Sequence, residues 1–299
     1  MYICTAFYKY LFSIMVKKRR NRKPKSPSSM KYLTIVAWVI FVLILLYCFR
    51  EPIKSFFSVS KGVGGKYNIE SADLEIPGPL KNRQEQHIRH TGYTVSYNEQ
   101  WKIPNWVAYE LTRDELGGDV KRTNKFMVDP MTGGVSATNP DYLHSGFDKG
   151  HMAPAGDMKW SEKAMKESFY FSNMCPQRPG LNRGAWKVLE EKIRDWAVQD
   201  SAIYIVCGPL VKASDSTIGK NKVKVPHGFF KVVLSPYTST PKGIAFIFEN
   251  KNEDKKLTSY VVSIDSVESL TGMDFFPTLP DELEDNIEST VQISDWNFK

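Results

Sequence analysis

The sequence predicts a mixed α+β domain on a mainly antiparallel sheet with flanking helices, preceded by one N-terminal transmembrane helix. Three features predict it: an uncharged apolar run near the start, a series of β-rich runs downstream, and one long stretch of helical periodicity among them. The apolar run, YLTIVAWVIFVLILLYCF at 32–49, is 18 residues long. A helix of that length just crosses a hydrocarbon layer of ~30 Å.

The run KKRRNRKPKS at 17–26 precedes the apolar segment. The positive-inside tendency therefore puts the N-terminus in the cytoplasm and everything from about Glu51 outside, on the periplasmic or extracellular face of the cytoplasmic membrane. A cleaved signal peptide is the rival reading. Against it, no small-x-small site follows the run, and Tyr47 spoils a lipoprotein-type site at Cys48. The expected organisation is a basic cytoplasmic segment at 1–31, an anchor at 32–49, a linker at 50–66 with three glycines, and one domain at 67–299.

The formal charge of +7 points to a polyanion binder until it is divided along the chain. Ten of the 40 basic residues and none of the 33 acidic ones lie in residues 1–50, which leaves 30 against 33 and a net charge of −3 beyond them. The basic run belongs beside the membrane, where it suits topology and anionic lipid. Any grip on nucleic acid must come from a local patch. Of four cysteines, only Cys175 and Cys207 lie beyond residue 50, which excludes a disulfide framework and leaves either one pair or two buried thiols.

Runs rich in aromatic and β-branched residues predict strands at 93–97, 106–111, 169–173, 202–208, 229–234, 243–248 and 259–264. Apolar positions 185, 186, 189, 193, 196 and 197 predict a helix over 182–198. A shorter helix is expected after Asp265, which with Glu268 resembles a capping box, ending near Gly272. Trp106, Trp160, Trp186 and Trp196 are expected to pack rather than to stack on bases.

The stretch DKGHMAPAGDM at 148–158 holds the candidate chemistry. His151 is open to three readings: metal ligand, proton-transfer base, or packed side chain. Gly150 permits close backbone approach, and Asp148 can orient the imidazole or cap a turn. A strand would put 148 and 151 on opposite faces, so a turn or bulge is expected here. His144, Asp148 and His151 have the i, i+4, i+7 spacing of a helical zinc site, but Gly146, Gly150, Pro154 and Gly156 argue against a helix. On the 182–198 helix, Asn182, Glu190 and Arg194 flank the apolar stripe, either as a solvated edge with an Asn cap or as functional groups.

Together with SNMCPQRPGLNRGAWKVLE at 172–190, the DKGHMAPAGDM stretch resembles the DNA/RNA non-specific endonuclease family, the ββα-metal nucleases that include endonuclease G. The similarity runs from about residue 67 to 280 and takes in YTVSYNEQWKIPNWVAYELT, VPHGFFKVVL and LTGMDFFP. The resemblance implies a ββα-metal site with His151 as general base and Asn182 as direct Mg²⁺ ligand. It implies Asn173 as a supporting residue, Glu190 holding water on the metal, and Arg194 and Arg122 facing the phosphate. Asp148 fits an orienting role. Lys149 stands where the family usually has arginine, keeping the charge but losing the planar fork of a bidentate contact.

That chemistry is consistent with the residue types. Hydrolysis of a phosphodiester needs a base near neutral pH, and a hydrated Mg²⁺ tolerates few protein ligands; Mn²⁺ accepts the same oxygens. The function implied is metal-dependent, sugar non-specific endonuclease action on DNA and RNA, leaving 5′ phosphates. The alternatives are a catalytically silent surface binder of nucleic acid and a phosphodiesterase for small or lipid-linked substrates.

Overall fold

The computed structural model describes residues 73–252 and 255–298, together with Trp38 and Ile69. Apart from Trp38, the expected span at 32–49 lies outside the described residues, among which no helix is long and apolar enough to cross a membrane. The described fold belongs to the compact unit Lys61–Lys299.

Its strands in chain order are β1 (Gln86–Arg89), β2 (Thr94–Asn98), β3 (Ile103–Thr112), β4 (Asp148–His151), β5 (Met174–Gln177), β6 (Ala202–Leu210), β7 (Thr217–Ile218), β8 (Val223–Lys224), β9 (Gly228–Ser235), β10 (Lys242–Glu249) and β11 (Val261–Val262). The helices are α1 (Asn139–Tyr142), α2 (Glu162–Glu167), α3 (Pro179–Arg183), α4 (Ala185–Asp200), α5 (Ile264–Thr271) and α6 (Asp281–Ser289). Seven strands form one antiparallel sheet in the order β1-β2-β3-β6-β9-β10-β11, while β4 and β5 pair separately.

Both faces of the large sheet are covered, which is why its central strands read as unbroken apolar runs. On one face Tyr109, Ile205, Cys207, Phe229 and Val233 join Trp186, Leu189, Ile193 and Trp196 of α4 in one cluster. On the other, Trp106, Tyr204, Val206, Phe230 and Val232 join Ile264 and Val267 of α5 and Leu283 and Ile287 of α6. The β4–β5 hairpin lies on the α4 side, where Met152, Met174 and Cys175 enter the first cluster. Trp106, Trp186 and Trp196 are fully buried packing residues and Trp160 is half-buried. Cys175 and Cys207 are buried free thiols.

The structure departs from expectation at five places. Residues 148–151 form a regular strand rather than a turn, with Asp148 opposite Gln177 and His151 opposite Met174. A side chain at Gly150 would put its Cβ 2.2 Å from Gln177 Oε1, so glycine is what lets the two strands close. Residues 169–173 are not a strand; Phe171–Asn173 make a 3₁₀ turn that delivers the chain to β5. The 259–264 run keeps only the two-residue β11, because Leu257–Tyr260 coil into a 3₁₀ turn.

The 182–198 helix is two helices broken at Gly184 (φ −101°, ψ −117°), so Asn182 lies inside α3 and does not cap α4. A Cβ at Gly184 would sit 2.3 Å from the Gly180 carbonyl oxygen, which marks the break as a glycine position. Finally, α5 is capped by Ser263, whose hydroxyl accepts from Ser266 N at 3.2 Å, and it ends at left-handed Gly272 as expected.

Trp196 ties α4 to the C-terminal segment: its indole donates to Asn297 O at 2.9 Å and packs edge-on against Trp296. Trp196→Ala is expected to lower the unfolding free energy by about 3–5 kcal/mol, as read from urea melts.

Candidate active site

Two residues fix the end of β4 and the loop after it. Trp186 Nε1 on α4 donates to His151 O at 3.2 Å. Asn173, fully buried, staples the following loop: its Oδ1 accepts from Ala153 N at 2.9 Å, and its Nδ2 donates to Ala153 O at 2.8 Å and Ser168 O at 2.9 Å. All of its amide groups are thereby used in holding backbone.

His151 is 8% exposed and walled by aromatic rings, edge-on to Phe169 with centroids 5.0 Å apart and tilted against Phe126 at 5.7 Å. Nε2 is sealed from solvent and has no hydrogen-bond partner, so the accessible ring nitrogen is Nδ1. Burial, and after it the charge of Arg122, pushes the imidazole down to about 3, so at neutral pH it is in its base form. Arg122 lies over the outer wall of the same pocket, its guanidinium 4.9 Å from the Phe169 ring centre and its Nε donating to Asn124 Oδ1 at 2.7 Å. Lys149 shares the His151 side of β4: its Nζ stands 4.4 Å over Phe126 and donates to Asn139 Oδ1 at 3.1 Å.

Asp148 makes no contact with the imidazole. Its carboxylate instead takes Asn182 Nδ2 on Oδ2 at 2.9 Å and the fork of Arg183, Nε to Oδ2 at 2.8 Å and NH2 to Oδ1 at 2.7 Å. Burial opposes that charge, but the hydrogen bonds from Arg183 and Asn182 outweigh it and hold the carboxyl below its ordinary range. The consequence falls on Asn182. With Nδ2 committed to Asp148, its Oδ1 is oriented and, among the described residues, receives no hydrogen bond. A single neutral, hard oxygen with room for water fits a hydrated Mg²⁺ or Mn²⁺. His144, Asp148 and His151 do not converge as a metal cluster, because His144 is exposed and the other two lie on opposite faces of β4.

Glu190 is half-buried one turn along α4 from Trp186. Burial pushes it up to about 7, with Lys231 and Arg194 opposing and Asp157 adding to the rise. A group poised there is charged or neutral according to what binds beside it. Arg194 NH1 is held at 2.8 Å by the fully buried Asp157, which also accepts from Tyr109 OH at 3.0 Å. Arg194 is thus anchored from behind, with its side chain 27% exposed.

Four participants were not singled out from sequence. Arg183 and Asp157 stand inside the motif stretches but carry no spacing that marks them. Phe169 lies in a run misread as strand. Lys231 did leave a signal: it is the one charge in FFKVVL, on the same face as Phe229 and Val233. It is fully buried, with Nζ 4.4 Å over the Trp186 ring and no hydrogen-bond partner.

Because His151 in the folded protein binds its proton only near pH 3 while the unfolded chain binds it near 6.5, its contribution to stability is lost as pH falls through that window. Nitrogen-detected NMR at pH 5 is expected to find this ring neutral. His151→Phe is expected to flatten the acid side of the stability profile between pH 6.5 and 3.

A family model described as DNA/RNA non-specific endonuclease matches residues 70–282. Similar proteins include mitochondrial nuclease EXOG of Mus musculus, 36% identical over 71% of this chain and 62% of its own length. Human mitochondrial endonuclease G is 34% identical over 70% and 74%, and nuclease C1 of Cunninghamella echinulata var. echinulata is 37% identical over 64% and 83%. The chain thus spans about three fifths of the EXOG proteins it matches. A chain from the crystal structure of the EndoG/EndoGI complex superposes with a TM-score of 0.64 at 30% identity, covering 71% of this chain and 91% of that one. With the family match covering most of its length, this chain belongs to the DNA/RNA non-specific endonuclease family.

Proposed function

We propose that the chain is a metal-dependent, sugar non-specific endonuclease that hydrolyses phosphodiester bonds of DNA and RNA and leaves 5′ phosphates. One observation carries the reading. A single four-residue strand holds, at one end, an imidazole in base form with only Nδ1 accessible and, at the other, a carboxylate that orients an amide oxygen left without a donor. The family membership and the nuclease names of the relatives support it.

In this reading Nδ1 of His151 takes the proton of the attacking water, while the proton on Nε2 stays in the sealed interior. A phosphate seated beside Arg122 offsets the positive charge that lowers the imidazole, so the base strengthens once substrate is in place. Arg122 and the free N–H groups of Arg194 complement charge growing on the phosphoryl oxygens, and Lys149 adds an ammonium along the strand. Asn182 would hold a Mg²⁺ or Mn²⁺ with Glu190 gripping its water; when bound, that ion supplies charge neutralisation and an acidic water for the departing 3′ oxygen. Contacts directed at phosphate carry no base preference, which suits both DNA and RNA. The uncharged run at 32–49 and its basic flank support a single-pass anchor, with this domain outside the cytoplasmic membrane.

Supercoiled plasmid and single-stranded RNA, each incubated with the protein and Mg²⁺ or EDTA, test the proposal. Both polymers are expected to be cut only with metal, and His151→Ala is expected to lose about 10²–10⁴-fold in rate. Retention of the polymers without cutting, or cleavage of small diesters alone, would refute it. Asp148→Ala releases Asn182 and is expected to weaken the metal about 10–100-fold, measured as a rise in the Mg²⁺ concentration for half-maximal rate.

A further inference from the structure

On the sheet face away from the β4–β5 hairpin, α5 and α6 bring three carboxylates together. Oxygens of Asp265 and Glu268 on α5 and of Glu288 on α6 all lie within 4.8 Å of one another. Asp265 is exposed, Glu268 half-buried, and Glu288 only 8% exposed. Acidic clusters are common on surfaces. This one is set apart because Glu288, whose carboxylate meets two others here, is more than nine-tenths buried, and its Oε1 is sealed from solvent with no hydrogen-bond partner. A buried bare acceptor of that kind is costly unless something positive sits against it.

The charges acting most strongly on Glu288 come from Glu268, Glu284, Asp265 and Asp274, all negative, and with burial ranking first they push it up to about 8. The helix that carries it needs help to stay docked. Among the nine residues of α6, five are Asp or Glu, and Leu283 and Ile287 are its only buried aliphatic side chains. Like-charge repulsion along and between the two helices thus opposes a small apolar contact.

We propose that Asp265, Glu268 and Glu288 form a structural divalent-cation site, suited to calcium, that clamps α6 to α5. Three oxygens no more than 4.8 Å apart can share one divalent ion, and calcium, with Ca–O distances of about 2.3–2.6 Å and a flexible geometry, asks for less rearrangement than the smaller, strictly octahedral magnesium. Glu268 Oε1 is occupied by Phe275 N at 2.8 Å, which fixes the carboxylate and leaves its second oxygen for the ion. The exposed Asp265 gives an entry path and room for the waters that complete six to eight ligands. The site is independent of the hydrolytic reading, lying on the other face of the sheet and sharing no residue with it.

The test is thermal unfolding of the protein at pH 7.5 with EDTA or 1 mM CaCl₂, in an Asn182→Ala background so that the candidate active-site ion does not contribute. Calcium is expected to raise Tm by about 5 °C. Glu288→Gln is expected to abolish the rise, and the exposed Asp265→Asn to reduce it even if Glu288→Gln fails to fold. Magnesium at the same concentration is expected to give a smaller rise. No calcium response, or an undiminished one in the Asp265 and Glu288 variants, would overturn the proposal. A Tm that is indifferent to calcium but increased by Glu288→Gln would also overturn it, assigning a proton rather than a metal to the cluster.

Discussion

The carboxylate of Asp148 is the constraint around which the site is arranged. It accepts one hydrogen bond from Asn182 and two from Arg183, and so ties α3 to β4. An asparagine amide rotates freely unless one end is held, and the five-residue α3, cut off from α4 by a glycine break, has no intrinsic reason to keep one orientation. The three bonds remove both freedoms. They are charge-assisted, and the Arg183 fork is bidentate on a carboxylate only 18% exposed, so geometry rather than shielding sets this tie apart, the Arg183 side chain itself being 72% exposed.

Around that tie, the sheet acts as a platform and the aromatic residues as an electrostatic instrument. Phe126 and Phe169 exclude water from His151 and present ring faces to Lys149 and Arg122. The same desolvation that keeps the imidazole neutral makes each nearby charge felt more strongly. On the helix side, the Asp157–Arg194 pair and the buried Lys231 set the field in which Glu190 titrates. Burying so many charges is unfavourable for stability, and they offset one another only as a set.

How much of this was legible in the sequence depended on how each segment is buried. Strands β6, β9 and β10 lie between two apolar layers, so their sequences are unbroken β-branched and aromatic runs that need no context to read. The strand carrying the chemistry is the opposite case. DKGH has two charges and a glycine, and it is a strand only because MCPQ, twenty-six residues on, closes against it. The Gly184 break was equally hidden, since the apolar spacing on either side continues in phase across it. The roles proposed for His151 and Asn182 come from resemblance, whereas Arg183 as a partner of Asp148 emerges only in three dimensions, because it has no periodic relation to it.

The central proposal is that the accessible imidazole nitrogen of His151 and the oriented amide oxygen of Asn182 act on one scissile bond. Diffraction from crystals soaked in Mn²⁺, recorded at the manganese absorption edge, tests it most directly. The account predicts an anomalous peak at coordination distance from Asn182 Oδ1, with His151 Nδ1 facing the same space and not itself bound to the ion. A peak on the imidazole, or an ion that avoids Asn182 altogether, would contradict it.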